Sequence, residues 1–69
     1  MKKWKPAEGE KYFVIWVDEF DASVNSDFWQ NLTVEKKAYK IGNVFRTKKS
    51  AQEAVKAVKA AFMRNKNTY

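Results

Sequence analysis

Sixty-nine residues hold one small domain, and a chain with no cysteine and no histidine excludes a disulfide framework, a thiolate nucleophile, a Cys-based zinc site and the commonest general base. Fourteen Lys and Arg stand against eight Asp and Glu, a net charge of +6. Three Trp, three Tyr and five Phe supply enough apolar area for a packed core, so the composition points to a compact basic binding module rather than an enzyme or a disordered chain.

In chain order, residues 1–10 read as an arm punctuated by Pro6 and Gly9. Lys11 to Asp18 is the strongest strand, rich in Tyr, Phe, Val, Ile and Trp. Both of its faces are apolar: Phe13, Ile15 and Val17 on one, Tyr12, Val14 and Trp16 on the other. Asp18 to Asp21 breaks the pattern as a turn, and a second, weaker strand is predicted within Ala22 to Trp29. Gln30 to Lys37 is polar and reads as a loop. A third strand is predicted from about Ala38 to Phe45, with Tyr39, Ile41 and Phe45 on one face and Gly42 marking a bulge or close approach.

The last element reads as a helix over about 48–65. Thr47 is its expected N-cap, and Ala51, Ala54, Val55, Val58, Ala61 and Phe62 recur at helical spacing. The predicted architecture is therefore α+β: a three-stranded antiparallel sheet (βββα) over about 11–45 with one C-terminal helix packed on one face, all in a single domain of residues 1–69. No apolar run approaches the roughly 20 residues of a membrane span. No signal-peptide core follows the basic N-terminus, so the expected location is the cytoplasm.

Two resemblances attach to particular residues. Trp4-Lys5-Pro6-Ala7-Glu8-Gly9-Glu10-Lys11-Tyr12 and Gly42-Asn43-Val44-Phe45-Arg46-Thr47 resemble the two ends of a group of short proteins encoded by bacteriophages and prophages. That resemblance implies a viral or mobile-element origin in a bacterial host, and no activity. Ile41 to Thr47, with Ala51 and Ala54 following, is similar to the strand-to-helix corner of plant APETALA2-type and integrase arm-binding domains. Their three-stranded sheet enters the DNA major groove. The Arg and Trp positions by which those domains contact DNA have no clear counterpart in the first two strands here.

The net charge is unevenly placed. Residues 1–35 carry four lysines against seven carboxylates, a net of −3; residues 36–69 carry ten cations against Glu53 alone, a net of +9. Lys36, Lys37, Lys40, Arg46, Lys48 and Lys49 cluster around the predicted third strand and helix start, a pattern suited to nucleic-acid phosphates. The alternative is a solvated lysine face that keeps the chain soluble. Only two of the cations in this half are Arg, so backbone contacts are favoured over base readout.

Tyr12, Trp16 and Trp29 form a candidate exposed aromatic face; the competing expectation is that the Trp4–Pro6 arm folds over it as a lid, or that a homodimer covers it. The acidic group Asp18, Glu19, Asp21 and Asp27 lacks the spacing of a calcium loop. No cofactor, metal or catalytic residue is expected. Two functions follow: a DNA-binding module contacting phosphates from the third strand and helix flank, or a phage-encoded module that binds and modulates a bacterial host protein such as a defence nuclease.

Overall fold

A computed structural model of the chain describes residues 4–19 and 21–66, with the side chains of residues 65 and 66 outside the description. The order is β1 (Lys11–Val17), β2 (Ala22–Phe28), α1 (Thr33–Lys40) and α2 (Lys48–Lys66). β1 and β2 form an antiparallel hairpin in which Lys11 faces Phe28 and Val17 faces Ala22. The pairing continues into the arm, where Gly9 N–H donates to the Trp29 carbonyl (2.7 Å) and Trp29 N–H donates to that of Glu10 (2.9 Å). A turn over Ala7 to Glu10 makes this possible. Gly9 sits at its third position with φ +83°, a conformation that costs glycine little.

The predicted third strand does not form. Among the described residues the sheet has two strands, and two helices follow it. The segment expected to be a loop and then a strand is α1. Its composition favours helix, with Glu35, Lys36, Lys37 and Ala38 in succession. Glu35, at the third helical position, reaches back to accept the Leu32 N–H (3.0 Å). That is one half of a capping box; Leu32, at the N-cap, has no side-chain acceptor for the other half. At the far end Asn43 N–H donates to the Ala38 carbonyl (2.8 Å) and Gly42 N–H to that of Tyr39 (3.1 Å). With Gly42 at φ +87°, this is a Schellman closure. Gly42 is therefore a helix stop rather than a strand bulge. Ile41, expected to share a strand face with Tyr39 and Phe45, is 79% exposed.

What remains of the third strand is one bridge and one side chain. Phe13 and Phe45 exchange backbone hydrogen bonds of 2.9 and 2.8 Å. Two residues further along β1, Ile15 N–H donates to Asn43 Oδ1 and Asn43 Nδ2 donates to the Ile15 carbonyl, both at 2.8 Å. The carboxamide offers a donor and an acceptor in one plane, as a peptide group does. It continues the antiparallel register of the Phe13–Phe45 bridge by two residues without a strand behind it.

Both apolar faces of β1 are covered as far as Ile15, beyond which Trp16 and Val17 are exposed. On one, Ile15 packs with Ala22 and Val55, flanked by Val24, Phe45, Ala54 and Val58. Ala51 is fully buried on α2, so a small side chain sets the close approach of helix to sheet. Thr47 caps α2 as expected, its Oγ1 accepting the Ser50 N–H at 3.1 Å. The predicted apolar stripe holds through Val58, but Ala61 and Phe62 are exposed. On the other face, Tyr12, Val14, Trp29 and Val44 form a second cluster, with Trp4, Ala38 and Tyr39 packed against it. Pro6 is buried as well, so the arm closes this face together with α1.

Replacing Asn43 by Ala leaves the Ile15 N–H and carbonyl without that partner. Urea unfolding should then show a loss of about 1–3 kcal/mol. Gly42→Ala meets no atom within 4 Å, so its cost is conformational alone, about 1 kcal/mol in the same measurement.

Candidate nucleic-acid interface

Three of the six candidate cations lie on α1. Glu35, Ala38 and Tyr39 turn toward the core, and helical spacing places Lys36, Lys37 and Lys40 on the opposite side, all exposed. Arg46 is exposed in the segment just after the Phe45 bridge, at the outer edge of β1. Lys48 and Lys49 open α2 and are exposed, in a first turn that carries no acid. α1 and α2 pack on opposite faces of β1. The six cations therefore do not share one sheet face: they form two groups with Arg46 between them. None of the six is in an ion pair among the described residues.

Sequence reasoning missed Lys5 and Lys11. Lys5 Nζ lies 5.7 Å from the centroid of the Tyr39 ring, which brings the arm's cation to α1. Lys11 Nζ lies 5.5 Å from the Phe13 ring, on the side of the sheet where α2 begins. For Lys11 the aromatic two residues on, Phe13, was the available signal; Tyr39 is remote from Lys5 in sequence and offered none. Lys59 belongs to a different setting, bridged to Asp21 at 3.5 Å.

The candidate aromatic face is mostly interior. Tyr12 is 5% and Trp29 2% exposed, whereas Trp16 is 61% exposed. The Tyr12 and Trp29 rings meet edge to face at 5.5 Å, and Trp29 meets Tyr39 at 6.5 Å. These two aromatics hold the arm face together and are not available for base stacking. The acidic turn is likewise occupied with its own shape. Asp18 Oδ1 accepts the Asp21 N–H (2.7 Å), and Asp21 Oδ1 accepts the Ala22 N–H (2.8 Å).

One acid shapes the interface without facing it. The Glu35 carboxylate is 4% exposed. It accepts the Tyr12 hydroxyl (2.9 Å) and the Gln30 (2.8 Å) and Leu32 (3.0 Å) N–H groups. Burial alone would push its pKa up. The Leu32 and Gln30 N–H groups, the Tyr12 hydroxyl and the Asn31 N–H outweigh burial and hold it below the ordinary 4.5. Glu35 thus remains charged in the interior while its lysine neighbours face solvent. Tyr12 responds in the opposite direction. Burial first, then its bond to Glu35 and the negative charges of Glu35 and Asp27, push its hydroxyl up to about 12.

No protein-family model, curated protein or solved structure matches the chain. No described helix is long and apolar enough to cross a membrane.

The two shifts set opposite pH limits. Glu35, with its folded pKa lowered, adds stability that is fully present above 4.5 and is lost as pH falls through its folded value. Tyr12, with its folded pKa raised, adds stability that is fully present below 10.0 and is lost as pH rises to about 12. Glu35→Gln should flatten the acid side of a stability–pH curve and cost about 1–3 kcal/mol at neutral pH. Tyr12→Phe should flatten the alkaline side. Urea midpoints across pH check both.

Proposed function

We propose that the chain is a small, non-catalytic nucleic-acid-binding module that grips the phosphate backbone. The carrying observation is the set of exposed cations on α1, at Arg46 and on the first turn of α2, none of them in an ion pair among the described residues. Lysines on rigid helices release counterions from a phosphate backbone without reading sequence. The mode differs from that of APETALA2-type domains. Their sheet lies in the groove, whereas here both faces of β1 are covered by chain as far as Ile15. Contacts therefore come from the helices and the outer edge of β1, with DNA as the expected polymer. The resemblance of both chain ends to phage and prophage proteins makes the cytoplasm of a bacterial host the proposed setting.

A second reading has its own observation. Val17, Ile41, Ala54 and Val58 line an apolar groove of about 290 Å³ beside Asn43, and Val17 and Ile41 are exposed. Such a patch suits a host-protein partner. Capture of a host protein that survives nuclease treatment, and is lost in Ile41→Asp, supports this reading over the first.

The main reading is tested by titrating labelled duplex DNA at several salt concentrations. Affinity should fall linearly on a log–log plot, with a slope of about −0.9 per phosphate contacted. Lys36→Gln/Lys37→Gln/Lys40→Gln should lower the slope by up to about 2.7. Reversal of Lys40, Arg46, Lys48 and Lys49 to Glu should abolish binding. No binding by the unaltered chain at low salt refutes the reading.

A further inference from the structure

We propose that a cleft between β1, β2 and the first turn of α2 receives one nucleotide of a single-stranded nucleic acid, its phosphate between Lys11 and Lys48 and its nucleoside against Phe13. The inference rests on the nucleic-acid reading and goes beyond it by naming the subsite and the strandedness. The cleft measures about 390 Å³ and is lined by Lys11, Phe13, Val24, Asn25, Ser26 and Lys48.

Three features of the lining select the ligand. Two lysines reach it from different elements, Lys11 from the start of β1 and Lys48 from the start of α2. Neither is in an ion pair among the described residues, and the cleft has no carboxylate in its lining. Two uncompensated ammonium groups facing one cleft suit a phosphate, to which each donates charge-assisted hydrogen bonds. Ser26, opposite Phe13 in the hairpin register, adds a hydroxyl beside it. Phe13 supplies a half-buried aromatic wall, held from behind by its backbone bridge to Phe45.

In the free chain the Lys11 ammonium lies over the Phe13 ring at 5.5 Å. An exposed cation–π contact is weak, so a phosphate draws the ammonium away and leaves the ring to the adjacent nucleoside. Bases of a duplex are stacked on one another and cannot reach such a wall. An unpaired base can, because every base has a π face. Phosphate plus aromatic in one cleft therefore favours a single strand. The helical cations described above serve duplex and single strand alike.

The test is fluorescence anisotropy of the full chain with labelled oligothymidylate, alongside a duplex of equal phosphate count. Lys11→Gln/Lys48→Gln should weaken single-strand binding about tenfold and lower its salt slope by about 1.4, two contacts at about 0.7 each. Lys56→Gln, which removes one charge elsewhere on α2, should change affinity less than about twofold. Phe13→Leu should weaken single-strand binding about fivefold or more and leave duplex binding unchanged. A thermal melt verifies that this variant is folded, and the two lysine changes lie on the surface and do not depend on it. If Lys11→Gln/Lys48→Gln binds oligothymidylate like Lys56→Gln, while the α1 triple variant loses affinity, the cleft is not the subsite and the broader reading stands. If the unaltered chain binds no nucleic acid, both fall. If free thymidine monophosphate binds as tightly as the oligomer, the ligand is a mononucleotide and the strand assignment is overturned.

Discussion

The constraint on which this structure depends is the completeness with which β1 must be covered. Lys11–Val17 has apolar residues on both faces and hydrogen-bonding groups on both edges. A two-stranded sheet alone would leave one edge and both faces in water, and an isolated hairpin is marginal at best. The chain meets all four demands with short pieces. β2 takes one edge, and Phe45 with the Asn43 carboxamide takes the other. α2 takes the Phe13–Ile15 face, and Trp29, the arm and α1 take the Tyr12–Val14 face. The functional consequence is direct. With both faces of β1 covered as far as Ile15, the surface left open there consists of helices, edges and the clefts between elements.

Glu35 connects that coverage to the charge pattern. A buried carboxylate is costly unless its acceptor capacity is filled. Here the filling groups are the backbone of residues 30–32 and the Tyr12 hydroxyl, so one side chain starts α1 and anchors it to β1. Its charge is met by hydrogen bonds rather than by a lysine. The cations that follow it in sequence face outward, and none is in an ion pair among the described residues. The separation of −3 and +9 along the chain becomes still sharper on the surface of α1, because its one acid is withdrawn from solvent.

Much of this was legible in the sequence and some was not, for identifiable reasons. Strong β propensity on both faces identified β1, and Thr47 with the Ala-rich stripe identified α2, because those signals are local and dense. The segment from Gln30 to Phe45 carries a pattern that its structure does not follow. Tyr39, Ile41 and Phe45 alternate as a strand would, yet they belong to a helix, its stop and a single bridge. Eight residues give too few turns for helical periodicity to outweigh alternation. The decisive cues were the Leu32-to-Glu35 half-box and Gly42 as a stop, with each group's partner assigned only by the fold. The Tyr12 and Trp29 side chains could likewise be placed only once α1 existed to cover them. Among the candidate cations, exposure was legible, but their division between two faces of β1 was not, since it follows from the same unrecognised helix.

The corrected topology also explains why charge and apolar surface separate on α2. The helix lies across the hairpin, so its two flanks meet different surroundings. The flank over β2 carries Lys48 near Val24 and Ser26 and Lys59 near Asp21. The flank toward the outer edge of β1 presents Ala54 and Val58 beside Val17 and Ile41. A full third strand would have extended the sheet beneath that second flank. Asn43 closes the pairing at Ile15 with one side chain and no further strand, so the groove beyond it stays open. The same economy that lets 69 residues cover β1 leaves the helix with a polar, cationic side and an apolar one. The cationic and the apolar surface consequently lie on different flanks of one helix, where each can be altered without disturbing the other.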